Sequence, residues 1–386
     1  MTMQLHLPEP AADALAASRA LEELIAAEIR QQGGWIPFAR YMELALYAPH
    51  LGYYSGGAAK LGKDGDFTTA PEITPLFGET LALVAADLMR QSAPKILEFG
   101  AGSGKLAHAI LSELARLGEP LARYQIVEIS AELRARQEAL LHDFPLVEWL
   151  DHLPDAFSGV VLGNEVLDAM PVHLVVKSAE GWQERGVALS DTANANFIYR
   201  DRSCAPSLVG QIADADALPI GYLTEVHPTA EAFMATMSQM LDAGNSGAAL
   251  LFDYGFPAHE YYLPQRAQGT LMCHYRHHAH DDPLYLPGLQ DITAHVDFTA
   301  MARVALENGL DLLGYTSQAA FLIDAGIGDL LLRTSPSDAA RYLPQANALQ
   351  KLVSPAEMGE LFKVLAVGKD VRLPEKFERN DRSGRL

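Results

Sequence analysis

Apolar residues recur near helical spacing at Leu15, Leu21, Leu24, Ile25 and Ile29, which predicts an amphipathic helix ending before Gly33 and Gly34. The next stretch, residues 35–79, is rich in glycine, proline and aromatics and is read as short helices and an ordered loop. Thr74 followed by Pro75 predicts an N-cap and first helical position, opening a helix whose apolar face is Phe77, Leu81, Val84 and Leu88. From Lys95 the period changes. Short apolar runs at 95–99, 124–129, 146–150, 159–166 and 248–254 read as strands, with helical stretches near 105–117 and 131–142 between the first of them. That alternation predicts an α/β fold, a parallel sheet with helices on both faces. Residues 172–222 break the rhythm with pieces such as VHLVVKS and NFIYR, expected to form an inserted hairpin or meander. Helices are expected near 228–242 and 297–309, and strands at 310–315 and 362–369. The pattern divides into an N-terminal extension over 1–92, a core over 93–370 with the insertion 172–222 and a loop at 256–296, and a polar tail over 371–386.

Composition narrows the class. In 386 residues, 49% are hydrophobic and 20% charged, which suits a folded chain with a large core. No apolar run is long enough to span a bilayer, so membrane insertion is not expected. The N-terminal residues carry Glu9, Asp13, Glu22, Glu23 and Glu28 and lack the pattern of a secretory or transit segment, so a cytoplasmic location is expected. Only Cys204 and Cys273 are present, which excludes a disulfide framework and a cysteine-based zinc site. A net charge of −20 disfavours nucleic acid as a partner; it serves solubility or long-range attraction of a basic partner.

The candidate chemistry lies at the strand ends. Residues 96–114, ILEFGAGSGKLAHAILSEL, read as strand, glycine-rich turn and helix. Gly100, Gly102 and Gly104 are spaced GxGxG, whereas a dinucleotide fingerprint needs GxGxxG. Glu98 would repel a diphosphate, but favours the cationic amino group of S-adenosylmethionine through a charge-assisted hydrogen bond. Glu128 ends the second strand, where a carboxylate accepts from both ribose hydroxyls of either cofactor. Ala101 within the turn and Ile129 beside Glu128 complete the expected cofactor contacts, with Trp149, Leu150 and Asp151 at the third strand end bordering the adenine. For Trp149, core packing is the alternative. The fourth strand runs into GNEVLDAMPVH, placing Asn164, Glu165 and Asp168 where a methyl acceptor meets the cofactor. Carboxylates there would grip a guanidinium fork, with Glu165 first and Asp168 second. Asp168 has an alternative role as a helix cap. Glu225 either pairs with Glu165 around a guanidinium or caps the helix after Pro228.

Segments 65–79 (GDFTTAPEITPLFGE), 98–104 (EFGAGSG), 127–130 (VEIS), 163–172 (GNEVLDAMPV), 250–255 (LLFDYG) and 277–299 occur in this order. Together, over about residues 20–370, they resemble the MidA family of S-adenosylmethionine-dependent methyltransferases. The resemblance implies a class I methyltransferase, Rossmann-like sheet of seven strands with the last antiparallel. It also implies methyl transfer to arginine side chains of a protein partner, symmetric dimethylation, and a respiratory complex I subunit as that partner. It brings the segment with Asp66, Thr68 and Thr69 into the active-site region, where these residues are either further cofactor contacts or an internally bonded turn. Three other functions stay open at this point: a cofactor-binding assembly chaperone without turnover, a small-molecule methyltransferase, and an NAD-dependent oxidoreductase. His274, His277, His278 and His280 beside Asp281 and Asp282 invite a metal site, but their spacing lacks HExxH logic and Pro283 and Pro287 indicate a loop, so no metal is expected.

Overall fold

The computed structural model describes residues 7–56, 68–190 and 196–386. The chain forms two compact units, Thr68–Val166 with Ala232–Pro257 and Phe298–Leu386, and Met1–Phe67 with Leu167–Glu231 and Ala258–Asp297.

The first unit is built on a mixed sheet. Its strands are β1 (Lys95–Phe99), β2 (Arg123–Val127), β3 (Val147–Trp149), β4 (Gly159–Asn164), β5 (Gly247–Phe256), β6 (Asp311–Ser317) and β7 (Phe362–Lys369). They follow the order β3-β2-β1-β4-β5-β7-β6. The first five pair in parallel, and β7 runs antiparallel to both β5 and β6. Among the described residues the sheet counts eight strands, against the seven expected. Thr74 accepts from Leu76 N–H, and with Pro75 it starts the helix Pro75–Met89 as the sequence predicts. That helix and Lys105–Leu117 share one core with Ile96, Tyr124, Ile126, Val160, Leu162, Leu250 and Phe252. The residues after 370 are not a loose tail: Phe377 is buried against Phe321, and Asp381 accepts from Tyr315 N–H at 3.0 Å.

The second unit gathers segments far apart in sequence. Residues 172–222 do form an antiparallel meander, His173–Ser178, Gly181–Leu189 and Phe197–Ser203. Its Val172, Leu174, Val187 and Phe197 share a core with Leu21, Ile25 and Ile29 of the N-terminal helix Ala12–Gln31. Leu24, expected on the apolar face, is 39% exposed, and Ser18 is buried in its stead, donating to the Pro287 carbonyl at 2.9 Å. The 256–296 region, expected as a loop, holds a three-stranded antiparallel sheet of Met272–Tyr275, His278–His280 and Asp291–Thr293. The hairpin closes because Arg276 and His277 both adopt left-handed conformations, and Cys273 and Tyr275 alternate into the interior.

Candidate functional site

The turn after β1 is set by its glycines. Gly100, Gly102 and Gly104 have φ of +62°, +55° and +83°, a region that L side chains disfavour. Gly100 N–H bonds to the Val127 carbonyl at 3.0 Å, tying the turn to the end of β2, and Gly104 caps the following helix. Ala101 is buried beneath the turn.

Glu98 is 2% exposed, on the same face of the sheet as Ile96. Tyr124 O–H donates to its Oε2 at 2.7 Å. Burial pushes its pKa up to about 8, with the Tyr124 bond opposing and the nearby Glu128 charge adding. The side chain therefore holds a proton near neutrality. Among the described residues Tyr124 is its one hydrogen-bond donor.

Glu128 follows β2. Its Oε1 accepts from Ser130 N–H at 2.9 Å and its Oε2 from Gln137 Nε2 at 2.9 Å. Burial raises its pKa, while these bonds and the backbone of Ile129 and Gly102 lower it. Ser130 then caps the helix Ala131–Leu140 by accepting from Leu133 N–H. Trp149, at the end of β3, donates its indole N–H to Gln137 at 2.9 Å. Leu150 is half-buried, with its N–H on the Ile126 carbonyl at 2.8 Å, whereas the Ile129 side chain is 72% exposed. Asp151 faces solvent in an ion pair with Arg134.

The GDFTTAPE segment reaches the glycine turn through a residue that the sequence reading did not single out. Glu72 accepts from Ser103 Oγ and from Lys105 Nζ, the latter at 2.5 Å. Its side chain is 5% exposed. Thr69 heads the short helix Ala70–Ile73 without a side-chain cap bond, Thr68 is exposed, and Asp66 lies outside the described residues.

At the end of β4 the chain turns sharply. Glu165 has φ of +55°, the left-handed region, where a non-glycine residue is uncommon and marks functional sites. The turn is held from β5: Glu165 N–H bonds to the Phe252 carbonyl at 2.8 Å and Val166 N–H to Asp253 Oδ2 at 3.2 Å. The expected strand over 159–166 therefore stops at Asn164. Asn164 Nδ2 donates to Glu165 Oε1 at 3.0 Å, and Asn164 Oδ1 is buried with no hydrogen-bond partner among the described residues. An orphaned buried acceptor beside a carboxylate suits an N–H donor supplied by a ligand. The fit to a sulfonium cofactor with a cationic amino group and a ribose diol is good: a flat glycine turn, an under-satisfied Glu98, and a pre-aligned Glu128.

Asp168 belongs to the other compact unit and is buried; the Ala294 N–H bonds to its carbonyl. No helix follows it, since the chain enters the strand His173–Ser178, so the capping alternative fails. Glu225, in that same unit, is fully buried. It accepts from Thr270 N at 2.8 Å, Leu271 N at 3.1 Å, Thr270 Oγ1 at 3.1 Å and Tyr261 O–H at 3.0 Å. Its acceptor capacity is thus taken up by a remote loop, not by the helix at Pro228.

A family model described as "Putative S-adenosyl-L-methionine-dependent methyltransferase" matches residues 80–316. Among curated proteins, the protein arginine methyltransferase NDUFAF7, mitochondrial, of Bos taurus is 31% identical over 378 residues, covering 88% of this chain and 81% of that protein. The Homo sapiens protein of the same name is 30% identical over 388 residues, covering 91% and 84%. Among solved structures, a Burkholderia thailandensis protein bound to S-adenosyl-homocysteine is 54% identical with a TM-score of 0.92, covering 98% of this chain and 100% of that one. The curated relatives are mitochondrial by name, which overturns the expectation of a cytoplasmic location.

Proposed function

Because the chain belongs to the S-adenosyl-L-methionine-dependent methyltransferase family, we propose that it transfers methyl groups to arginine side chains of a protein partner. The observation that carries the acceptor side is the left-handed Glu165 beside Asn164 Oδ1, which has no partner among the described residues. Bound S-adenosyl-L-methionine supplies the methyl group on a sulfonium. Glu98, the turn Gly100, Ala101, Gly102 and Gly104, and Glu128 hold it, with Ile129, Leu150, Thr68 and Thr69 bordering it; Asp66 lies outside the described residues.

Glu165 then accepts N–H bonds from the guanidinium, drawing positive charge onto the nitrogens it touches and leaving the remaining nitrogen the better nucleophile. Asn164 Oδ1 accepts a further N–H and aligns that nitrogen for in-line attack, in which the C–S bond of the bound cofactor would break as the C–N bond forms, S-adenosyl-homocysteine would leave, and the displaced N–H proton would pass to solvent. The partner is proposed to be a subunit of respiratory complex I and the product symmetric dimethylarginine, both on the family resemblance. The nicotinamide, small-molecule and chaperone alternatives gain no support from the relatives.

Incubation of the purified protein with labelled S-adenosyl-L-methionine and an arginine-bearing subunit, read by mass spectrometry, tests the proposal. Glu165→Gln should bind S-adenosyl-homocysteine like wild type yet lose about 100-fold in turnover, the scale of a deleted charge stabiliser. Unchanged turnover removes Glu165 from the mechanism.

A further inference from the structure

We infer that Gln137 is a positioning residue for the cofactor, a cross-tie that orients the Glu128 carboxylate, the glycine turn and Trp149 together. The inference rests on the proposal that the ribose and adenine lie over Glu128 and Trp149.

Gln137 sits on the helix Ala131–Leu140 and is fully buried. A buried amide is costly unless its donors and acceptor are used, and here each one is. Nε2 donates to the Gly102 carbonyl and to Glu128 Oε2, both at 2.9 Å, and Oε1 accepts from Trp149 Nε1 at 2.9 Å. Turning the amide over would set oxygen against oxygen at Gly102 and Glu128 and N–H against N–H at Trp149, so a single orientation is allowed. The three partners come from the segments that follow β1 and β2 and from the end of β3. The side chain also packs beneath the turn: a Cβ on Gly104 would stand 3.4 Å from Gln137 Cα and Cγ.

The consequence is pre-organisation. Ser130 N–H on one oxygen and Gln137 on the other fix the rotation of the Glu128 carboxylate before a diol arrives. Pinning the indole N–H fixes the plane of the Trp149 ring. A ligand that meets both already oriented avoids the ordering cost of aligning them. A helix-to-sheet staple with no role in binding would affect stability and leave affinity untouched.

Calorimetric titration of the full chain with S-adenosyl-homocysteine and with adenosine separates these roles. Gln137→Met removes both donors and the acceptor at similar volume and should weaken both ligands about 10- to 100-fold. Gln137→Glu places a carboxylate against Glu128 at about pH 8; near pH 5.5 that group regains a proton and a donor, so the ratio of its Kd to that of wild type should narrow. If Gln137→Met binds within about twofold of wild type while Glu128→Gln loses affinity, the cross-tie role is overturned. If Glu128→Gln also binds like wild type, the placement of the ribose falls with it. Should Gln137→Met fail to fold, a Kd ratio for Gln137→Glu that stays constant with pH overturns the inference.

Discussion

Glu98 and Glu225 are both buried carboxylates with raised pKa values, one in each compact unit, and they differ in how many donors they meet. Glu225 accepts four hydrogen bonds from Tyr261, Thr270 and Leu271. Among the described residues Glu98 accepts one, from Tyr124. A buried acceptor with a full set of donors ties its neighbours together, whereas one left short has its proton affinity raised by desolvation. Burial and an acidic side chain look the same in both. Only the donors that the fold brings in tell the two apart.

The largest expected effect breaks the Glu225 tie. Glu225→Ala leaves the backbone N–H groups of Thr270 and Leu271 without their acceptor in the interior, and should lower the unfolding free energy by about 3–5 kcal/mol. Urea titration followed by circular dichroism checks this. A loss under about 1 kcal/mol would show that the loop at 270–271 finds other partners, and the contrast with Glu98 would lose its structural half.

Glu98 should show itself through protons. With its pKa at about 8, binding a cation below that pH releases a proton, so affinity for S-adenosyl-L-methionine should rise with pH and level off above about 8. Calorimetry in two buffers of different ionisation enthalpy measures the release directly. The sign for folding is opposite. The folded protein binds this proton more tightly than the unfolded chain, whose value is near 4.5, so the stabilising contribution is present below about 4.5 and lost as pH rises through about 8. Glu98→Gln should remove both dependences and weaken the cofactor about tenfold. Proton release that persists in this variant would assign it to another group.

Glu72→Gln is the smallest of these perturbations. Its partner Lys105 is half exposed, so the pair contributes little to folding, about 0.5–1 kcal/mol. The expected readout is a three- to fivefold weaker Kd for S-adenosyl-homocysteine, about 0.7–1 kcal/mol, with the thermal midpoint nearly unchanged. An unchanged Kd would mean that the GDFTTAPE segment leans on the glycine turn without steadying it.

Much of the frame was readable beforehand. The strand at 362–369 has the expected bounds, and the Thr74–Pro75 start of the helix Pro75–Met89 is as anticipated, because caps and apolar runs are local. The glycine turn was legible from its spacing, and Glu128 stood out by its place at a strand end. Gln137, Tyr124 and Glu72 were passed over because their partners lie 35, 26 and 31 residues away, at Gly102, Glu98 and Ser103. Glu225 was misjudged for the same reason: its donors are 36 to 46 residues distant, so a nearby helix start looked like its natural use. The family-specific Asn164 and Glu165 were legible as a motif, but the left-handed turn that presents them is imposed by Phe252 and Asp253 on the adjacent strand.

The sequence by itself determined what depends on near neighbours: the alternation of strands and helices, the left-handed glycine turn after β1, and the acids at the strand ends. Only the tertiary structure decided which donors each of those acids meets. The reason is physical, since a buried carboxylate takes its proton affinity from desolvation and from donors that the fold brings in from distant segments, and neither quantity is a property of the residue or its flanks.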